Sequence, residues 1–258
     1  MTTSSSPIPH IQLLCIDEAF ASAFEAARVK HKLPATVSIT HHSDRLADLP
    51  ASVKFDTIVS PANSYARLDG AFDDAISRAF SPIAAGNFGT QDYLALTHAA
   101  QKVVYDRYRG FAPPGTCTLI PIPAEFDGRN RNVWGTRRVA LCPTMRCPTV
   151  VKWDREIVYE CVWSLLCEVD NHNRRVRQRS SADHKNNDDD SDNEEIRSIL
   201  MTPLATGVGR VSAERWAAQV VLAMKHFAQA CKNPDKWSKL DWADFGVSAA
   251  EVQLTWDL

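Results

Sequence analysis

The sequence has no Cys-x-x-Cys pair, no long apolar run and no excess of positive charge. The first absence removes clustered-thiol zinc and dithiol redox readings. Its seven cysteines (Cys15, Cys117, Cys142, Cys147, Cys161, Cys167 and Cys231) are odd in number, and most sit in apolar stretches, so they read as reduced thiols behaving as small hydrophobes. His41 and His42 have no cysteine neighbours, so neither a metal nor a cofactor is expected. The second absence leaves no candidate for a bilayer-spanning helix. The N-terminus lacks a basic region and an apolar stretch, does not read as a signal peptide, and gives cytoplasmic or nuclear as the expectation. With a formal net charge of -2 and a pI near 6.4, no global field draws nucleic acid or a membrane surface. Glycine and proline are too sparse for a fibrous or wholly disordered chain.

What is present is a 258-residue chain with 45% hydrophobic residues, enough for one large core. Residues 11–16, 36–40, 55–60, 116–122, 138–142 and 201–204 read as strands. Between them, residues 18–32, 73–80, 157–169 and 213–230 carry apolar side chains at helical spacing. Strands alternating with helices predict an α/β layered fold. Residues 1–10 read as a flexible N-terminus and 11–232 as the domain. Residues 170–195 run from arginines to an acidic block (Asp188, Asp189, Asp190, Asp192, Glu194, Glu195) and read as a disordered, solvated insertion, with a charged interaction arm as the alternative. Residues 233–258, with Trp237, Trp242, Phe245 and Trp256, read as an extension whose rings pack back on the domain.

Two turns carry the chemistry. In the first, the buried strand 55–60 delivers Ser-Pro-Ala-Asn-Ser, with Asn63 and Ser64 at its carboxyl end, then Asp69-Gly70-Ala71-Phe72-Asp73-Asp74 opening a helix. In open α/β sheets, ligands sit at that edge. An asparagine amide both donates and accepts, which suits a ribose diol. Gly70 permits close backbone approach, and a helix start offers free N–H groups to an anion. An ordinary strand–turn–helix with Asn63 in a turn fits the same residues. In the second turn, Thr206-Gly207-Val208-Gly209-Arg210 again joins a strand to a helix. Its backbone can wrap phosphate oxygens, and Arg210 can add a charge-assisted contact. No Gly-Lys-Ser/Thr follows, so it is not a P-loop. A tight turn with a surface arginine is the alternative.

The run Phe55-Asp56-Thr57-Ile58-Val59-Ser60-Pro61-Ala62-Asn63-Ser64 resembles the macrodomain signature Val-Asp-Ala-Ile-Val-Asn-Ala-Ala-Asn-Ser, and residues 69–76 resemble its continuation. Thr206 to Gly209 resemble the family's second, phosphate-binding loop. The resemblance spans roughly residues 11 to 230. It implies a three-layer α/β/α sandwich with a mixed central sheet, and a cleft for ADP-ribose or an ADP-ribosylated protein in a monomeric binder. By resemblance Asn63 contacts the distal ribose, Gly70, Ala71 and Phe72 line it with Ser64, and Thr206, Gly207, Val208, Gly209 and Arg210 hold the diphosphate. Asp44 is the nearest match to the adenine-reading acid. Asp69 and Ala71 stand where the family usually has glycine. Asp73 aligns with the acid of hydrolytic members, which makes Asn63 and Asp73 the candidate catalytic pair of an ADP-ribosyl hydrolase or an ADP-ribose 1″-phosphate phosphatase. The alternative for Asp73 is a first-turn acid stabilised, with Asp74, by the helix dipole. A non-catalytic reader, or a scaffold that has lost its ligand, are the alternatives for the whole chain.

Overall fold

The computed structural model describes residues 6–83, 90–181 and 193–258, with the backbone alone at 180 and 181. Its sheet has six strands: β1 (His10–Leu14), β2 (Ile39–His42), β3 (Thr57–Ser60), β4 (Thr118–Pro121), β5 (Arg138–Leu141) and β6 (Ser198–Met201). The order across the sheet is β2-β1-β6-β3-β5-β4, all parallel except β4, which pairs antiparallel to β5. The central strands are short and mostly apolar because both faces are covered. Thr57 to Ser60 and Arg138 to Leu141 are buried throughout.

Helices α1 (Glu18–Lys30), α4 (Ile157–Ser181) and α5 (Ala213–Lys232) cover one face, and α2 (Phe72–Phe80) and α3 (Ala95–Tyr108) cover the other. The result is a three-layer α/β/α sandwich with a mixed sheet. Trp216 of α5 is fully buried and takes Phe20 of α1 edge-on at 5.6 Å. Among the described residues no helix is long and apolar enough to cross a membrane.

Several expectations need correction. The chain is ordered before residue 11: Ile8 is buried and His10 opens β1. Residues 1–5 lie outside the described residues. The first part of the charged insertion is not disordered, because α4 continues through its arginines to Ser181. Ion pairs offset the exposure there: Arg174 meets Asp170 at 2.8 Å and Arg177 meets Glu195 at 3.1 Å. Residues 182–192, with most of the acidic block, lie outside the described residues. Strand β6 sits three residues earlier than its sequence pattern predicts, since Pro203 cannot donate to a ladder. The extension forms α6 (Pro234–Trp237) and α7 (Trp242–Gln253). Trp237 stacks on Trp163 at 5.8 Å, and Trp256 Nε1 donates to Glu156 at 2.9 Å. Trp242 does not pack back; it is 85% exposed, touching only Phe245 among the described rings.

Candidate functional site

Strands β6 and β3 are neighbours, paired Thr57 to Ile199 and Ile58 to Leu200. The chain leaves β3 for α2 on one face and β6 for α5 on the other. A crevice therefore opens at their carboxyl ends, the topological switch point where open α/β sheets hold ligands. The two sequence-selected turns lie side by side there, around a cavity of about 350 Å³. A third wall comes from the loop after β5. Thr144 N–H donates to Ala62 carbonyl at 2.9 Å and Ser64 N–H to Met145 carbonyl at 3.0 Å, carrying the β3–β5 pairing beyond the strands. Met145, Pro148 and Pro203 make much of the wall apolar.

The backbone around the cavity is short of acceptors. Among the described residues, the N–H groups of Gly70, Ala71 and Phe72, and of Gly207, Val208 and Gly209, donate to no protein atom. Helix α2 also lacks a side-chain cap at Ala71. Unsatisfied N–H groups at a helix start and in a turn form a concave nest for an anion. The second turn is closed from behind. Val211 N–H donates to Ala205 carbonyl at 3.1 Å, and Val151 N–H to Gly209 carbonyl at 3.0 Å. Gly209 is fixed by packing, since a Cβ there would stand 2.3 Å from the Ala205 carbonyl oxygen. Gly70 and Gly207 meet nothing within 4 Å and face open space. Three non-glycine residues beside the cavity hold positive φ: Ala71 (50°), Ala205 (60°) and Arg210 (57°). Such strain persists where the surroundings over-determine it, and it clusters at ligand sites.

Asn63 sits at the rim with its amide largely engaged. Oδ1 accepts from Tyr65 N–H at 3.1 Å and Arg67 N–H at 3.3 Å, and Nδ2 donates to Arg67 carbonyl at 2.8 Å. It builds its own turn, with one amide hydrogen left over. Asp69 turns to Arg67 Nε, so the charge that would repel a phosphate is paired. Asp73, the second residue of α2, is buried in the cavity floor and accepts from Ser60 Oγ at 2.6 Å. Burial pushes its pKa from 3.8 to about 7, against the lowering effect of the Ser60 bond, with the Asp69 charge adding a smaller upward push. The surface-acid reading belongs to Asp74 instead, which takes Arg78 Nε at 2.8 Å and Tyr93 Oη at 2.6 Å.

Three expected contacts are not in the cavity. Ser64 is fully buried, its hydroxyl turned to Met145 carbonyl at 3.3 Å. Asp44 is exposed after β2 and is not among the residues that line the cavity. Arg210 is exposed just past the turn and does not line it. Sequence reasoning missed Thr144, Met145 and Pro148, whose only signal was their place after a buried strand.

No protein-family model matches the chain, and no curated protein matches it. Among solved structures it is similar to an Oceanobacillus iheyensis macrodomain with MES bound: 15% identity, TM-score 0.43, covering 82% of this chain and 88% of that one. A glycine-to-valine mutant of that macrodomain with ADPR gives 12% identity and a TM-score of 0.44, covering 83% and 91%. The same macrodomain with ADP gives 14% and 0.42, covering 78% and 84%.

Proposed function

We propose that the crevice binds an ADP-ribosyl nucleotide. The carrying observation is the set of unsatisfied N–H groups from two turns converging on one cavity. The diphosphate sits against the α2 N-terminus and the Thr206 to Gly209 turn, where donors are already oriented and cost no reorganisation. The sugar lies by the Asn63 turn and its remaining amide hydrogen, over the Met145 and Pro148 wall. The macrodomain-like motif at residues 55–64 supports the same ligand. An ADP-ribosylated protein is then the natural macromolecular partner, with its attached chain at the open rim.

Calorimetric titration with ADP-ribose tests the reading. A saturable isotherm is expected, with ADP weaker. Gly70→Val fills open space at the cavity, so it should weaken binding about tenfold, ~1.4 kcal/mol, while leaving the melting temperature unchanged. No heat from ADP-ribose or ADP would leave the fold without this ligand. Turnover is a separate question, and Asp73 is the group to ask it of. Incubation with an ADP-ribosylated protein, beside Asp73→Asn, reads it: release by the wild type alone assigns Asp73 to hydrolysis, and binding without release assigns the protein as a reader.

A further inference from the structure

Asp73 stands at the floor of the crevice with one carboxylate oxygen unused. Oδ1 accepts from Ser60 Oγ at 2.6 Å. Oδ2 has no partner among the described residues. The residue is only 6% exposed, and it lines the cavity. A polar atom kept this far from water costs free energy until a ligand supplies its partner. The N–H groups of Gly70, Ala71 and Phe72, which draw an anion, lie directly before it in the chain. An ionised Asp73 sets like charge against that anion, whereas a protonated one offers it an O–H donor. Burial raises the pKa to about 7, so both forms are populated near neutrality. From β3, Ser60 alone faces the carboxylate. From the turn before α2 comes Asp69, whose charge Arg67 holds. On α2 itself, Asp74 bonds to Arg78 and Tyr93. The loops after β5 and β6 bring threonine, proline, methionine, alanine, valine and glycine to the cavity, none of which titrates.

We infer that Asp73 binds the nucleotide in its protonated form, with Oδ2–H donating to a phosphoryl oxygen, so that binding above neutrality takes up a proton. This deepens the nucleotide reading and rests on it. The proton comes from solvent and stays on Oδ2, and no bond of the ligand is made or broken. An O–H donor to a charged oxygen is among the stronger hydrogen bonds, and the crevice floor holds little water to compete with it. The coupling is reciprocal: the diphosphate tightens the proton as much as the proton tightens the diphosphate. Its sign follows from the free protein. Below pH 7 the acid is already neutral and affinity is level. Above it the proton must be added before the ligand binds, so affinity falls by up to about tenfold per pH unit. Ser60 is a positioning residue here. Its bond occupies Oδ1, leaves Oδ2 for the ligand, and favours the ionised form, so it sets the pH at which the fall begins.

Calorimetric titration of the full chain with ADP-ribose tests it, from pH 6 to 8.5 and in two buffers of different ionisation heat. Both phosphates of ADP-ribose are esterified, so the ligand lacks the second ionisation that a terminal phosphate shows near about 6, and uptake reports the protein. Binding should be about tenfold weaker at pH 8 than at pH 6, and uptake should approach one proton per ligand at the alkaline end. Asp73→Asn keeps a donor at the same place without a charge, so its affinity should stay level across the range with no uptake. Ser60→Ala should move the onset of the fall to higher pH, a shift that lost packing alone does not produce. Asp74→Asn, one residue along and bonded to Arg78, should keep the wild-type profile. Saturable wild-type binding that is equal at pH 6 and 8.5, with no uptake, overturns the proton link and leaves the nucleotide reading standing. So does an unchanged pH profile in Asp73→Asn. No heat at any pH ends the nucleotide reading and this inference with it.

Discussion

Ala71 opens α2 at φ 50° and ψ −118°, a conformation that costs an L-residue strain and glycine almost nothing. Ala71→Gly should therefore stabilise the protein by about 1 kcal/mol, read as a raised denaturant midpoint at constant slope. The glycines nearby answer to different forces. Gly209→Ala places a methyl against the Ala205 carbonyl and Val151, so it should cost about 1–3 kcal/mol and disturb the phosphate turn with it. Gly70→Ala touches nothing, so any loss it causes must appear in ligand affinity alone. Asp73 answers to pH. Its folded pKa is raised, so its contribution to stability is fully present below about 3.8 and is lost as pH rises to about 7. Asp73→Asn keeps a partner for Ser60 without the buried charge. Thermal melts from pH 4 to 8 should show the variant gaining on the wild type as pH rises from about 4 and levelling off near 7, by up to roughly 4 kcal/mol from the linkage of a pKa near 7. Parallel melting curves for the two proteins would remove the buried-charge argument.

At the scale of elements, Asn173 clamps α4 to the segment that leads into β6. Asn173 donates Nδ2 to Ile196 carbonyl at 2.9 Å and accepts from Ile196 N–H at 2.8 Å, satisfying both backbone groups of a residue two positions before β6. Asn173→Ala should cost about 1–3 kcal/mol, because it strands two backbone groups, and denaturant titration reads it. This clamp also shows where sequence patterning stops. The arginines of α4 lack apolar spacing, so nothing local announced that the helix continues; the reason is a polar contact made across the chain. Helix α3 was invisible for a related reason. It buries Leu96, Thr97, Ala100 and Val104, a stripe too small and too mixed to stand out. By contrast β3, β5 and α5 are continuous or strongly periodic apolar segments, and their patterns predict them closely. The site divides in the same way. Asn63, Gly70 and Gly207 were legible because turn residues after a buried strand have few other uses. Met145 and Thr144 were not, since their place depends on the pairing of β3 with β5. The misplacement of Ser64 has the same origin: one residue along a turn reverses which way a hydroxyl points.

For the molecule as a whole, the C-terminal extension sets the response to acid. Helix α7 is held to α5 by Glu251, which takes Lys225 Nζ at 2.7 Å and His226 Nε2 at 2.8 Å. Thr255 adds a bond from Gln219 Nε2 at 2.9 Å. Burial disfavours the charged form of His226 and lowers its pKa, with Glu251 pulling the other way. Burial also opposes ionisation of Glu251, yet the bonds from Lys225 and His226 hold its pKa below 4.5. Both signs agree. The histidine's contribution is present above 6.5 and is lost as pH falls below that; the glutamate's is present above 4.5 and is lost as pH falls further. Asp73 runs in the opposite direction over part of the same range, so the net melting curve of the wild type understates each. A local probe separates them: in a variant that keeps only Trp237 and Trp256 of the seven tryptophans, emission reports the extension, where Trp237 stacks on position 163 and Trp256 bonds Glu156. Tryptophan emission should shift toward the red as pH falls from 6.5 to 4, before the far-ultraviolet circular dichroism changes. Glu251→Gln should lower the melting temperature at pH 7 by about 2–4 °C, for roughly 1 kcal/mol lost, and should flatten that emission change. Emission and dichroism moving together in both proteins would mean that the extension and the sandwich unfold as one unit, with no separate acid-sensitive clasp.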